Sequence, residues 1–149
     1  MLGLCHPVFR GFMKLPVVLT AALSFMTTSS LAQTAEEAEV ALNNVHHEMV
    51  RCIGYNTIVA SCLRKRDGAL ADKYDKLAEH LLVLSNQIGQ SIGMTEDAMN
   101  SRMTLEWSEM DKLIEHNCTN ISSLTSRYAY RCKQVIENGD SILMEYLNK

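Results

Sequence analysis

The chain has 149 residues, a formal net charge of −3, 47% hydrophobic residues and 6% aromatics. That length accommodates one domain with a real core, and the hydrophobic share excludes a chain disordered by composition. The low aromatic content argues against a β-rich fold, and the acidic balance argues against electrostatic binding of nucleic acid.

Residues 1–32 read as a secretory signal peptide. Arg10 and Lys14 supply positive charge, Leu15 to Met26 forms an apolar run of twelve residues, and Ser30-Leu31-Ala32 places small residues at the −3 and −1 cleavage positions. Twelve residues fall short of the ~20 that a membrane-spanning helix needs. No stable membrane insertion is therefore expected after cleavage. Met13 opens a more compact leader and offers a second translation start. Export places the protein in the periplasm or outside the cell, where its cysteines pair. Cleavage removes Arg10 and Lys14, so the mature part, 33–149, carries a net charge of −5. It reads as a single helical domain.

The first mature segment is a long helix over about 35 to 66. Its apolar stripe is Ala38, Leu42, Val45, Met49, Cys52, Asn56, Val59 and Leu63, at alternating steps of four and three. Thr34 to Glu37 forms a capping-box pattern, Arg64, Lys65 and Arg66 suit the last turn, and Gly68 is the stop signal. A second helix carries Leu70, Tyr74, Leu77, Leu81, Leu84, Ile88 and Ile92, and Gly93 ends it. Thr95 caps a third helix with Met99, Met103, Trp107, Met110, Ile114 and Cys118 on its apolar side. Asn120 to Ser123 is the next turn, with Ser122 or Ser123 as cap. The fourth helix shows Leu124, Tyr128, Cys132 and Val135, and Asn138-Gly139 marks a break before a last short helix. Four long amphipathic helices joined by short turns predict an all-α, up-down-up-down antiparallel four-helix bundle.

Four cysteines remain in the mature chain, and they allow three connectivities. Cys52 and Cys62 lie ten residues apart on one helix, so roughly 15 Å apart, too far for a bridge. Height along the bundle ranks the other two patterns. Cys62 and Cys118 both lie near one end, while Cys52 and Cys132 lie roughly 20 Å below it. The level-matched pairs, Cys52–Cys132 and Cys62–Cys118, are predicted. Each closes a long loop and contributes about 2–5 kcal/mol.

The chemical motifs sought are missing from the sequence. No Glu is followed by His three residues on, and no Cys-x-x-Cys, Cys-x-x-Cys-His, His-Glu-x-x-His or Gly-rich phosphate loop occurs. No catalytic residue, cofactor or metal ligand is assigned, and an enzyme is not expected. His46 and His47 are adjacent, point about 100° apart on a helix, and read as a surface pair. His80 and His116 each follow a Glu and do not complete a zinc site. Met94, Met99, Met103 and Met110 cluster on the third helix. Thioethers bind copper(I) or fill irregular cores, and the seven-residue step from Met103 to Met110 favours the core, with Met99 extending toward a partner-binding edge.

Asn56, on the core stripe, is expected to bond a neighbouring helix or fix register. Gly54, Thr57 and Ser61 form a small-residue strip suited to close helix approach within the bundle, or to a homodimer. Asn117-Cys118-Thr119 and Asn120-Ile121-Ser122 match the glycosylation sequon. Glu106, Glu109, Asp111 and Glu115 read as a solvated acidic edge. The reading that follows is a small exported helical protein that binds another protein through a helix face. The alternative is a periplasmic copper or zinc carrier using Met and His.

Overall fold

A computed structural model describes residues 27–148, with side chains from 34 onward. Five α-helices follow in order: α1 (Thr27–Leu63), α2 (Gly68–Ser91), α3 (Glu96–Leu113), α4 (Ile121–Glu137) and α5 (Gly139–Leu147), with a 3-10 turn at Cys118–Asn120 before α4. The fold is all-helical, and no strand occurs among the described residues. The architecture is five helices rather than a plain four-helix bundle, because the chain breaks at Asn138, as the Asn138-Gly139 pair suggested, and starts the short last helix at once. The expected leader lies mostly outside the described residues. Helix α1 already runs from Thr27, so Thr34 sits inside it and is not its cap.

Each boundary has a local cause. Arg64 to Arg66 lie in the turn beyond α1, and Asp67, not Gly68, sets the next start: its side chain accepts from Leu70 N at 2.9 Å, with Gly68 as the first helical residue. Gly93 closes α2 at φ +73°, a left-handed conformation open to glycine. The Thr95 hydroxyl accepts from Ala98 N at 3.2 Å and opens α3. Helix α3 ends at Leu113, short of Cys118, because Glu115 and His116 adopt φ of 54° and 56°. Helix α4 then starts at Ile121, before either serine expected to cap it.

Helix α1 is the centre of the molecule. It packs against α2 most extensively and also against α3, α4 and α5, whereas those helices touch one another little. Five consecutive residues, Cys52 to Asn56, are all buried, and five consecutive positions point in every direction around a helix. The amphipathic stripe expected for this helix is therefore only part of its buried surface. The chain places the right residues there: Val45, Met49, Val50, Ile53, Ile58, Val59 and Ala60 are core residues on different faces.

The α1–α2 seam also differs from the expected one. On α2 the buried residues are Ala71, Ala78, Leu81, Ser85 and Gly89. Leu70 is exposed, and Tyr74, Leu77, Leu84 and Ile88 are half-buried. Small side chains spaced about seven residues apart let the two backbones approach, and the leucines flank that line. Replacing Ala78 by Leu is expected to overpack this seam and cost about 1–3 kcal/mol, while Val83→Ala on the outer face stays within about 0.5 kcal/mol. Urea unfolding followed by helical circular dichroism checks both.

Two disulfides join satellites to α1. Cys52 is bonded to Cys132 and Cys62 to Cys118, with Cα separations of 5.2 and 5.3 Å. These are the level-matched pairs. Bonded cysteines point to an oxidising compartment. Among the described residues no helix is long and apolar enough to cross a membrane.

Candidate functional site

Two places collect chemistry that packing alone does not consume. The first is a trough between α2 and α4. Both helices lean on α1 and scarcely on each other, so α1 is left as a floor between two walls. Tyr55 and Asn56 form that floor, Leu70, Lys73, Tyr74 and Leu77 one wall, and Ala129, Cys132, Lys133, Ile136 and Glu137 the other. The trough encloses about 480 Å³. The Tyr55 ring meets Tyr74 edge to face, with centroids 6.3 Å apart, and burial pushes the Tyr55 hydroxyl above its usual pKa. Asn56 does not bond a neighbouring helix as expected. Its amide donates to Cys52 O of its own helix at 2.7 Å, which settles its buried donor locally. Lys73 and Lys133 stand on opposite lips and enter none of the ion pairs formed among the described residues.

The second place is a polar cluster between α1 and α3, where the structure corrects two expectations. His46 and His47 are not a surface pair: His46 is 0% exposed and His47 is half-buried. Glu106 is not on a solvated edge, because it is buried and accepts from His47 Nε2 and, at 3.3 Å, from Arg51 Nε. Arg102 Nη1 donates to His46 Nδ1 at 2.8 Å, and its Nη2 donates to Asn43 Oδ1 at 3.0 Å. A guanidinium only donates, so Nδ1 of His46 accepts and its proton sits on Nε2. That Nε2 has no hydrogen-bond partner among the described residues. It faces Gly89 of α2, where a Cβ would stand 3.2 Å from it and overlap Met99 Sδ. Met99 is buried rather than part of an outer edge.

The other singled-out residues fall elsewhere. Gly54 is buried beneath Met110, whose sulfur would lie 3.2 Å from an added Cβ. Thr57 donates to Ile53 O at 2.8 Å, and Ser61 is exposed. The strip is thus used partly by α3 and partly by α1 itself. His80 is exposed, and His116 pairs with Asp111 at the end of α3. Asn117 caps the 3-10 turn through Thr119 N, and Asn120 Nδ2 donates to Ile114 O. No group of three or more His, Cys, Asp or Glu among the described residues is placed to hold a metal ion. Sequence reasoning passed over Lys73, Lys133 and Ala129. A lysine on a polar helix face carries no sequence mark of a site, and only the gap between two satellite helices gives these two a common one.

Comparison with family models, with curated proteins and with solved structures returns no match for this chain.

The polar cluster makes stability depend on pH. Burial first, then the Arg102 and His47 charges, lower the His46 pKa from 6.5 to about 4. The unfolded chain therefore binds a proton on this side chain that the folded chain refuses between those two values. Stability is full above pH 6.5, falls as the pH drops to about 4, and is level below it. The loss amounts to about 3 kcal/mol. His46→Leu removes the titrating group and is expected to flatten that segment of a plot of unfolding free energy against pH.

Proposed function

We propose that this is an exported binding module, acting in the periplasm or outside the cell, that takes an amphipathic helix of a partner protein into the trough between α2 and α4. The observation that carries the reading is the trough itself, a mostly apolar channel with a lysine on each lip that enters no ion pair among the described residues. The walls from Leu70 to Leu77 and from Ala129 to Glu137 each run about two helical turns. A partner helix with aliphatic anchors at i, i+3 or i+4, and i+7 fits that length. Acidic residues flanking the anchors meet Lys73 and Lys133, while Glu137 disfavours a second acidic flank at its own end. The four long helices read as an up-down-up-down scaffold, supported by their short turns, with α5 folded back on α1.

A copper or zinc carrier finds its best donor pair in His46 and Met99. The contact from Arg102 works against it, because a metal at Nε2 would have to displace the proton that Arg102 keeps there.

Display of random peptides against the purified oxidised protein tests the docking reading. Enrichment of amphipathic helical peptides with acidic flanks is expected, and the Lys73→Glu/Lys133→Glu double variant weakens their binding more than tenfold. Selected peptides that bind this variant equally well, or that map by cross-linking to α3, would sink it.

A further inference from the structure

The two disulfides differ in setting, although both start on α1. Cys52 and Cys132 are 0% and 2% exposed, inside the core. Cys118 is exposed in the 3-10 turn, and Cys62 is half-buried at the end of α1. The Cys62–Cys118 bridge lies in a surface cleft with Thr57, Arg64, Lys65, Arg66 and Asp75. Arg64 is already held by Asp72 and Asp75. Lys65 and Arg66 enter none of the ion pairs among the described residues. These two cations beside an exposed disulfide attract an anionic thiolate and favour the thiolate that leaves.

Helix α3 is lightly buried beside this bridge. It buries only Met99, Glu106 and Met110. Its other ties are Met110 packed on Gly54 of α1, Met103 and Leu113 set partly against the core, and the polar contacts of Arg102 and Glu106 with α1. The bridge holds the segment that follows α3, one turn beyond its last residue.

We propose that Cys62–Cys118 is a thiol–disulfide exchange site for an external dithiol, and that opening it loosens α3 while the rest of the helices stay assembled. A thiolate of the dithiol attacks Cys118 Sγ, forms a mixed disulfide and expels Cys62 as a thiolate, which takes up a proton. The second thiol of the reagent then displaces Cys118. The bridge gains two electrons and two protons, and the dithiol becomes a disulfide. The Cys52–Cys132 bridge does not exchange under the same conditions, because a reagent reaches it only after global opening.

The test treats the oxidised protein with dithiothreitol for increasing times, blocks free thiols with N-ethylmaleimide and locates the label by peptide mass spectrometry. Label is expected on Cys62 and Cys118 more than tenfold faster than on Cys52 and Cys132. Simultaneous labelling, or earlier labelling of Cys52 and Cys132, overturns the proposal. The Lys65→Glu/Arg66→Glu variant is expected to slow cleavage by glutathione several-fold at low salt, and an unchanged rate removes the role given to the cations. Hydrogen exchange of the Cys62→Ser/Cys118→Ser variant reads the structural consequence. Faster exchange confined to 96–113 supports the release of α3, and uniform or unchanged exchange refutes it.

Discussion

Everything in this fold hangs on one helix whose middle, Cys52 to Asn56, is buried on all sides. A surface helix satisfies its apolar stripe with one neighbour, but α1 presents apolar residues in every direction over Cys52 to Ala60 and needs several. Its satellites then need only one buried face each, turned toward α1, and nothing obliges them to pack on one another. The trough between α2 and α4 is a direct result: two helices held to a common axis leave the axis visible between them.

The satellites are held by different physics. Helix α2 relies on close approach, with Ala71, Ala78, Ser85 and Gly89 along the contact line. Helix α3 relies on charge and hydrogen bonds. A carboxylate buried at Glu106 is expensive to desolvate, and His47 and Arg51 offset that cost without adding much net stability. What such a cluster supplies is geometry. Its partners sit at fixed steps on both helices, Asn43, His46, His47 and Arg51 on one and Arg102 and Glu106 on the other, so only one register satisfies them all. The orphaned Nε2 of His46 is the residue of that fit: the contact from Arg102 consumes the acceptor side of the ring and leaves the donor side facing Met99 and Gly89.

Much of this was legible in the amino-acid order. Thr95, Gly93 and the Asn138-Gly139 break announce helix ends through local chemistry, and local chemistry is what a sequence states directly. Helix rise, together with an antiparallel order of the helices, ranked the cysteine pairs, because distance along a rod does not depend on what surrounds it. The misreadings share another cause. A periodic stripe shows that a helix has one apolar face but not how many partners it has, so α1 was read as amphipathic. Hydrophobicity ranks Leu above Ala, so the α2 seam was placed one position away from the alanines that form it. Neither His46 nor Glu106 carries a mark of burial, since each is buried only because the other helix brings its partner. Gly68 was read as a stop because glycine usually follows a helix, whereas here the Asp67 cap gives it the first position of the next.

The placement of the covalent links follows from the same division of labour. Helix α2 has no cysteine, and it needs none, because a short turn and a small-residue seam hold it along its whole length. Helix α4 begins after a longer connection and is bridged at mid-height through Cys52–Cys132. Its continuation, α5, is fixed by polar contacts around Glu48, which accepts from Tyr146 at 2.8 Å and pairs with Arg131 at 3.3 Å. Helix α3 buries two methionines and a carboxylate along its length and is tethered just past its end, where the chain must also turn through two residues at positive φ. A bridge matters most where burial contributes least, since it limits the unfolded chain whatever the native packing. Bridges at the middle of one satellite and at the edge of another therefore give the scaffold one permanent joint and one that solvent can reach.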